Sequence, residues 1–408
     1  MNNEKFFTKP LIIIFITVFI DLVGFGIVIP LLTFYAEEFN ATPFEIGILF
    51  ASYSLMQFIF APILGSLSDR YGRRPILFLS LLGGSIGYLF IGFAFALWMV
   101  FVGRIIAGIT GGNLSTAQAY IADVTTRENR AKGMGLFGAA FGLGFIFGPA
   151  IGGILSRYGL HAPFFFAAVL SFINAMLLYF ILPETVNKDA LIVPNARKNR
   201  LAELFESLSD ARFGTLTGIY FFLVVSFSIM TYAFVLYTIF RFSYTAEQNG
   251  YIFAFIGIMA VIFQGGLFGR LTKKFGENLL MIVGCAMMVA SFILIPFITA
   301  DFGGLVALLA CVALLAIGNS MASPSITSLA SKVSSDEGQG KSLGVLQSGA
   351  SLARAIGPAI GGVLLNNSLN QVDNFTIQRT FWTAAVIMIV ALFISIYFAK
   401  MEQTKILT

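Results

Sequence analysis

The chain has 408 residues, of which 58% are hydrophobic and only 11% charged. Soluble domains carry about 25% charged residues, so this composition excludes a chain that covers its own surface in water. The formal net charge of +5 comes from basic residues set between apolar runs, which makes it a matter of topology and no argument for nucleic acid as a partner.

A hydrocarbon core about 30 Å thick takes roughly 20 helical residues to cross. Apolar runs of that size recur near residues 10–35, 44–66, 75–95, 97–121, 131–156, 162–182, 213–240, 247–269, 278–299, 302–328, 340–365 and 378–399. They are continuous and rich in Gly, Ala, Phe and Leu, whereas barrel strands would be about ten residues long and alternating. The first run is too long for a signal peptide, carries Asp21 and ends at no small-residue cleavage site, so it reads as a retained span. The expected fold class is an all-α integral membrane protein with twelve transmembrane helices. Basic residues crowd the N-tail, alternate loops and the C-tail, while the opposite side holds only Arg157, Arg241 and Arg379. That asymmetry places both termini in the cytoplasm. Cys285 and Cys311 lie in spans and His161 has no ligand-type neighbours, so neither disulfides nor a metal site are expected.

The sequence repeats itself. Gly148-Pro149-Ala150-Ile151-Gly152-Gly153 returns as Gly357-Pro358-Ala359-Ile360-Gly361-Gly362. The loop Gly65-Ser66-Leu67-Ser68-Asp69-Arg70-Tyr71-Gly72 returns as Gly269-Arg270-Leu271-Thr272-Lys273-Lys274-Phe275-Gly276. Two pseudo-symmetric six-helix bundles follow, at 1–182 and 213–408, joined by a polar cytoplasmic linker at 183–212. Within the linker, 201–208 reads as a plain connection or as a short amphipathic helix on the membrane surface. Repeated bundles of this kind suit alternating access to a site near the midplane.

Polar residues inside the spans are the candidates for chemistry. Asp21 is the one acidic residue of 20 placed deep in a span. It can carry a proton in a partly dry cavity, or serve structurally by pairing with Arg104 or capping a bend. Arg104 costs on the order of 3 kcal/mol at mid-bilayer and needs a partner or a wet cavity. In the loop after the second span, Gly65 permits close helix approach and Gly72 a tight turn. Asp69 can face a helix N-terminus, and Arg70, Arg73 and Arg74 can pair with carboxylates such as Asp123. In the fifth span, Gly138, Gly142, Gly144, Gly148, Gly152 and Gly153 make a small-residue groove for another helix, and Pro149 permits a bend. Phe25, Tyr53, Gln57, Asn113, Tyr232, Tyr237, Gln264, Asn319, Gln347 and Arg354 are candidate walls of a mainly aromatic cavity. Gln347, Ser351 and Arg354 share one face of the eleventh span, either lining that cavity or joining helices. Arg354 could bind an anionic group or pair with Asp21.

Gly65-x-Leu67-x-Asp69-Arg70-x-Gly72-Arg73-Arg74 resembles the signature loop of the major facilitator superfamily, where it implies a latch onto the eleventh helix that holds the outward-facing state. Gly144-x3-Gly148-Pro149-x2-Gly152-Gly153 resembles that superfamily's antiporter motif, and Arg104 with Gly108 its fourth-span arginine motif. Over essentially the full chain the sequence is most similar to tetracycline/proton antiporters, with Asp21-Leu-Val-Gly24-Phe-Gly26-x3-Pro30, Trp98, Gly103-Arg104 and Phe141-Gly142-Leu-Gly144 all fitting. Those antiporters carry an acid in the third span, a histidine in the eighth and an acid in the ninth, where this chain has Gly87, Ala260 and Met288. The resemblance implies a secondary transporter that exports lipophilic small molecules in exchange for protons. A proton-coupled symporter or facilitator for a metabolite, or a non-transporting receptor, is the alternative. No phosphate-cradling motif is present, so the expected energy source is a proton gradient with no cofactor. The expected partners are a small-molecule substrate, protons and membrane lipid, for a monomer in a bacterial inner membrane that is not an enzyme.

Overall fold

The computed structural model describes residues 8–126, 129–186, 210–333 and 339–407, and they form long helices. These are α1 (Lys9–Glu37), α2 (Pro43–Tyr71), α3 (Arg73–Gly92), α4 (Leu97–Val124), α5 (Arg130–Leu155), α6 (Ala162–Ile181) and α7 (Ala211–Phe242). After α7, a single run Ala246–Phe297 is divided by Gly276, whose φ of +76° is outside helical space. We label the parts 246–275 and 277–297 as α8 and α9. The remaining helices are α10 (Gly304–Val333), α11 (Gln339–Leu365) and α12 (Asn374–Leu407). Eleven runs among the described residues are long and apolar enough to cross a membrane, and the turn at Gly276 makes them twelve spans. Side chains such as Phe95, Phe180 and Val306, each more than 70% exposed, leave an apolar exterior that only lipid satisfies. The possible surface helix at 201–208 lies outside the described residues.

Two compact units emerge, Met1–Ala41 with Ser52–Pro194 and Thr245–Gly257, and Thr42–Ala51 with Asn195–Tyr244 and Ile258–Thr408. In the first, α1 packs on α5 and α6, and α3 on α4 and α6; in the second, α7 packs on α11 and α12, and α9 on α10 and α12. The same pairing recurs after six helices. Glycines set the closest crossings. A Cβ on Gly87 would lie 2.8 Å from the Gly103 carbonyl oxygen, and one on Gly284 would lie 2.5 Å from that of Gly318. Backbone therefore touches backbone between α3 and α4 and again between α9 and α10.

The repeat extends to single hydrogen bonds. At the end of α1 the Tyr35 hydroxyl donates to the Ile91 carbonyl at 2.8 Å. At the end of α7 the Tyr237 hydroxyl donates to the Ile298 carbonyl at 2.8 Å and reaches that of Ile295 at 3.0 Å. Each buried phenol thus adds a hydrogen bond to carbonyls in or just past the last turn of a helix, where the backbone ladder runs out. The starts of α3 and α9 are tied to the ends of α4 and α10 by ion pairs of opposite polarity, Arg73 to Asp123 and Glu277 to Lys332.

Each unit also takes in ten or so residues from the other half of the sequence. The start of α2 is capped by Thr42 and Glu45, whose carboxylate accepts from the Thr42 amide at 2.8 Å. The start of α8 is capped likewise by Thr245 and Gln248. Both are capping boxes, and both deliver a glycine to a Gly-Pro-x-x-Gly-Gly segment. Gly47 meets Pro358 and Gly362 in the second unit, and Gly250 meets Pro149 and Gly153 in the first. The twin motif read in the sequence is a pair of sockets. Arg157 at the end of α5 adds a bidentate ion pair to Glu247, and Tyr251 donates to the same carboxylate at 2.6 Å.

Candidate functional site

The first unit holds a polar cleft between α1, α2, α3 and α4. Its empty space, open mouth included, is about 300 Å³, and Asp21, Phe25, Tyr53, Tyr88, Thr110 and Asn113 are among its walls. These side chains meet because α1 and α3 both pack against α4. Apolar residues hold that arrangement, including Leu11, Ile14, Val18 and Leu22 of α1, Leu77 and Leu81 of α3, and Ala117, Tyr120 and Ile121 of α4.

Asp21 is partly buried and faces this cleft rather than lipid. Its Oδ2 accepts from Asn113 Nδ2 at 3.0 Å. Asn113 follows a break in α4 at Gly111 and Gly112, where one helical segment, Leu97–Thr110, ends and the next, Asn113–Val124, begins. A carboxylate near such a start also meets the positive end of a helix dipole. Gln57 Nε2 donates to the Gly111 carbonyl at 2.8 Å, which holds the break open from α2.

Arg104 is 3% exposed. It does not pair with Asp21 among the described residues. Its guanidinium instead stacks 4.3 Å from the Tyr53 ring centre, a contact that gains strength when desolvated. Tyr53 in turn packs on Phe25 at 5.5 Å between ring centres, so the charge is joined to the cleft's aromatic wall. Gly87 has the same fixed setting noted above. Any side chain there would collide with α4.

Around the loop between α2 and α3, Arg73 reaches Asp69 at 2.5 Å and Asp123 at 3.2 Å. Arg70 and Arg74 do otherwise: Arg70 lies over the Tyr71 ring and Arg74 over that of Tyr179. Gly72 has φ +109°, as its turn requires. Among the described residues, a Cβ on Gly65 would meet Ser115 Oγ at 3.8 Å, an ordinary contact. Glu184, which the sequence reading passed over as linker, accepts from the backbone amides of Arg73 at 2.9 Å and Arg74 at 3.1 Å. It places a negative charge on the N-terminus of α3. The signal was a lone acid just after a span on the arginine-rich side. The α11 side chains that Asp69 would face, through residue 342, lie outside the described residues.

The small residues of α5 divide by face. Gly144 meets Leu22, Gly148 meets Val23 and Gly26, and Gly152 meets Ile27, all on α1. Gly153 meets α8, while a Cβ on Gly138 would touch none of the described residues within 4 Å. The remaining candidates fall in the second unit. Gln264 sits in a π-helical turn of α8 and lies 3.4 Å from Ser320. Asn319 is partly buried, Gln347 is exposed, and Arg354 donates to Ser351 at 2.9 Å. Tyr232 and Tyr237 are not cavity walls. Both are wholly buried, with their hydroxyls committed to the carbonyls of Pro43 and of Ile295 and Ile298.

The family model described as Major Facilitator Superfamily matches residues 14–334 and 266–406. The tetracycline resistance protein, class H, of Pasteurella multocida is 33% identical over 97% of this chain and 98% of its own length. Multidrug resistance protein 2 of Bacillus subtilis (strain 168) is 29% identical over 96% and 95%. Among solved structures, the nucleoside transporter NupG superposes with a TM-score of 0.76 at 14% identity, covering 96% of this chain and 100% of that one. At that identity the likeness is one of fold. A human organic anion transporter, MFSD10, superposes with a TM-score of 0.71 at 24% identity, covering 95% of this chain and 99% of that one.

Proposed function

Because the chain belongs to the major facilitator superfamily, we propose that it exports lipophilic, drug-like small molecules across its membrane in exchange for protons. The observation that carries this reading is Asp21, a carboxyl inside a membrane span that faces a polar cleft and is bound to an amide rather than to Arg104. A carboxylate locked to an arginine would hold its charge; one beside a neutral amide in a cleft can gain and lose a proton. Intramembrane ionisable residues in such settings mark proton paths. The named relatives, resistance proteins for tetracycline and for multiple drugs, support export over uptake.

In this reading Asp21 takes a proton from the outer side, the repeated bundles alternate, and release inside is coupled to substrate leaving. Arg104 keeps a positive charge beside the cleft without neutralising Asp21. The loop from Gly65 to Arg74, tied to Asp123 through Arg73, acts as the latch. Both termini are cytoplasmic, following the distribution of Lys and Arg, and the working unit is a monomer. The aromatic wall of Phe25 and Tyr53 suits an apolar compound with few polar groups. Gly87, Ala260 and Met288 supply no carboxylate or imidazole, so a metal-chelated substrate lacks those ligands.

The test is a panel of lipophilic dyes and tetracycline presented to inverted vesicles from a pump-deficient host. Gradient-driven accumulation of the dyes, abolished by a protonophore, is expected. Accumulation that ignores the protonophore, or that runs in the same direction as the protons, would overturn the exchange reading.

A further inference from the structure

Asn113 has a feature that substrate lining does not explain. Its amide nitrogen donates to Asp21, but its own carbonyl oxygen, Oδ1, is buried and accepts no hydrogen bond from the described residues. The side chain is 6% exposed, and a buried acceptor without a donor is costly. Such an orphan beside a group that changes protonation has an obvious complement. A carboxylate offers only acceptors, whereas a carboxylic acid offers one O–H donor. A fixed donor serves the first state and a fixed acceptor the second. A primary amide carries both and exchanges them by a half turn about one bond.

We propose that Asn113 is a positioning residue that follows the proton on Asp21. With Asp21 ionised, Nδ2 donates to it, as in the present geometry. When hydronium in the cleft gives its proton to Asp21, one O–H bond breaks and one forms, leaving water; the amide then turns, giving up the Nδ2–H hydrogen bond, and Oδ1 accepts from the new O–H. Among the described residues Asn113 is the group hydrogen-bonded to Asp21. Of the other polar groups lining the cleft, Thr110 donates to the Ile106 carbonyl, and Ser80 Oγ, like Asn113 Oδ1, is buried with no bond from the described residues. Tyr53 of α2 packs on Phe25 and carries Arg104 on its face, and Arg104 of α4 has donors only. Tyr88 of α3 lines the cleft but lies against α1 at Gly24. From α5 the contacts to α1 come from Phe145, Phe147, Pro149 and the glycines Gly144, Gly148 and Gly152, and from α6 they include Phe164 and Asn174, none of them titratable. Because the break at Gly111 and Gly112 sets the position of Asn113, the rotation would also be felt along α4, which connects the cleft to Asp123 at the latch.

This inference rests on Asp21 being the proton carrier, and the experiment separates the two. Infrared difference spectra of the reconstituted protein, recorded across a pH titration, report both forms of a carboxyl. Asp21→Asn identifies its bands; if no titrating carboxyl band disappears, the carrier reading itself fails. With the bands assigned, Asn113→Leu is expected to move both of them, the acid band to the position of an acid without a hydrogen bond. Uphill export should fall about tenfold, the worth of one hydrogen bond to a charged group. Asn113→Gln, which retains donor and acceptor, should keep the acid band hydrogen-bonded, and it guards against a misfolded leucine variant. Movement of the carboxylate band alone would overturn the proposal, because the amide would then be a donor only. So would two unmoved bands.

Discussion

In Asp21→Asn, proton-driven uphill export is expected to fall on the order of 100-fold, the upper range of a coupling free energy between two sites, while movement down a substrate gradient persists. The side chains are nearly equal in size, so packing against α4 changes little. What changes is charge: a carboxamide cannot take up a proton, so the cycle loses the step that links its two gradients. Asn113 would still have a partner at position 21, since a carboxamide both donates and accepts. That keeps the local hydrogen bonding intact and makes the substitution a test of proton transfer rather than of folding. The measurement is efflux from proteoliposomes under an imposed pH difference, beside efflux with none. Undiminished uphill export would reject Asp21 as the carrier.

The second large effect lies in packing. Gly148→Val is expected to destabilise the first unit by about 3 kcal/mol or more, the upper range for overpacking a filled site. Its Cβ would lie 2.7 Å from both the Val23 carbonyl oxygen and the Gly26 Cα. These are backbone atoms of α1 and cannot swing aside. Gly138→Ala, ten residues earlier on the same helix, is expected to be stabilising by roughly 0.5–1 kcal/mol, because it meets open space and removes a helical glycine. Thermal unfolding in detergent decides both. Equal effects at the two positions would show that the α1–α5 crossing is not as close as described.

The twelve spans were legible because hydrocarbon demands long apolar helices and little else produces them. The halves were legible through Gly-Pro-x-x-Gly-Gly, a string too particular to recur by accident. What that string does was not. Its partners, Gly47 and Gly250, come from the opposite half of the sequence, and periodicity within one helix carries no record of which segment will fill its groove. Thr42-x-x-Glu45 and Thr245-x-x-Gln248 are visible as capping boxes once their equivalence is known. Tyr35 and Tyr237 show a different limit. A tyrosine in a span looks the same whether its hydroxyl faces water or closes a helix end, and Tyr237 was read as a cavity wall on that account. Asp21 and Arg104 were found as isolated charges, but their partners were not, since a carboxylate and a guanidinium in neighbouring spans suggest each other. The structure gives Asp21 an amide and Arg104 an aromatic ring. The reversed polarity of Arg73–Asp123 and Glu277–Lys332 hid that equivalence from any comparison of residue types.

The reading of the whole molecule turns on opposed movement of substrate and proton. Purified protein in vesicles with an internal pH-sensitive dye, given an outward-directed gradient of an exported compound and no pH difference, measures it in one step. Internal acidification as substrate leaves, absent when Asp21 is replaced by Asn, is the expected result. Substrate efflux with no change in internal pH, or with alkalinisation, would contradict it.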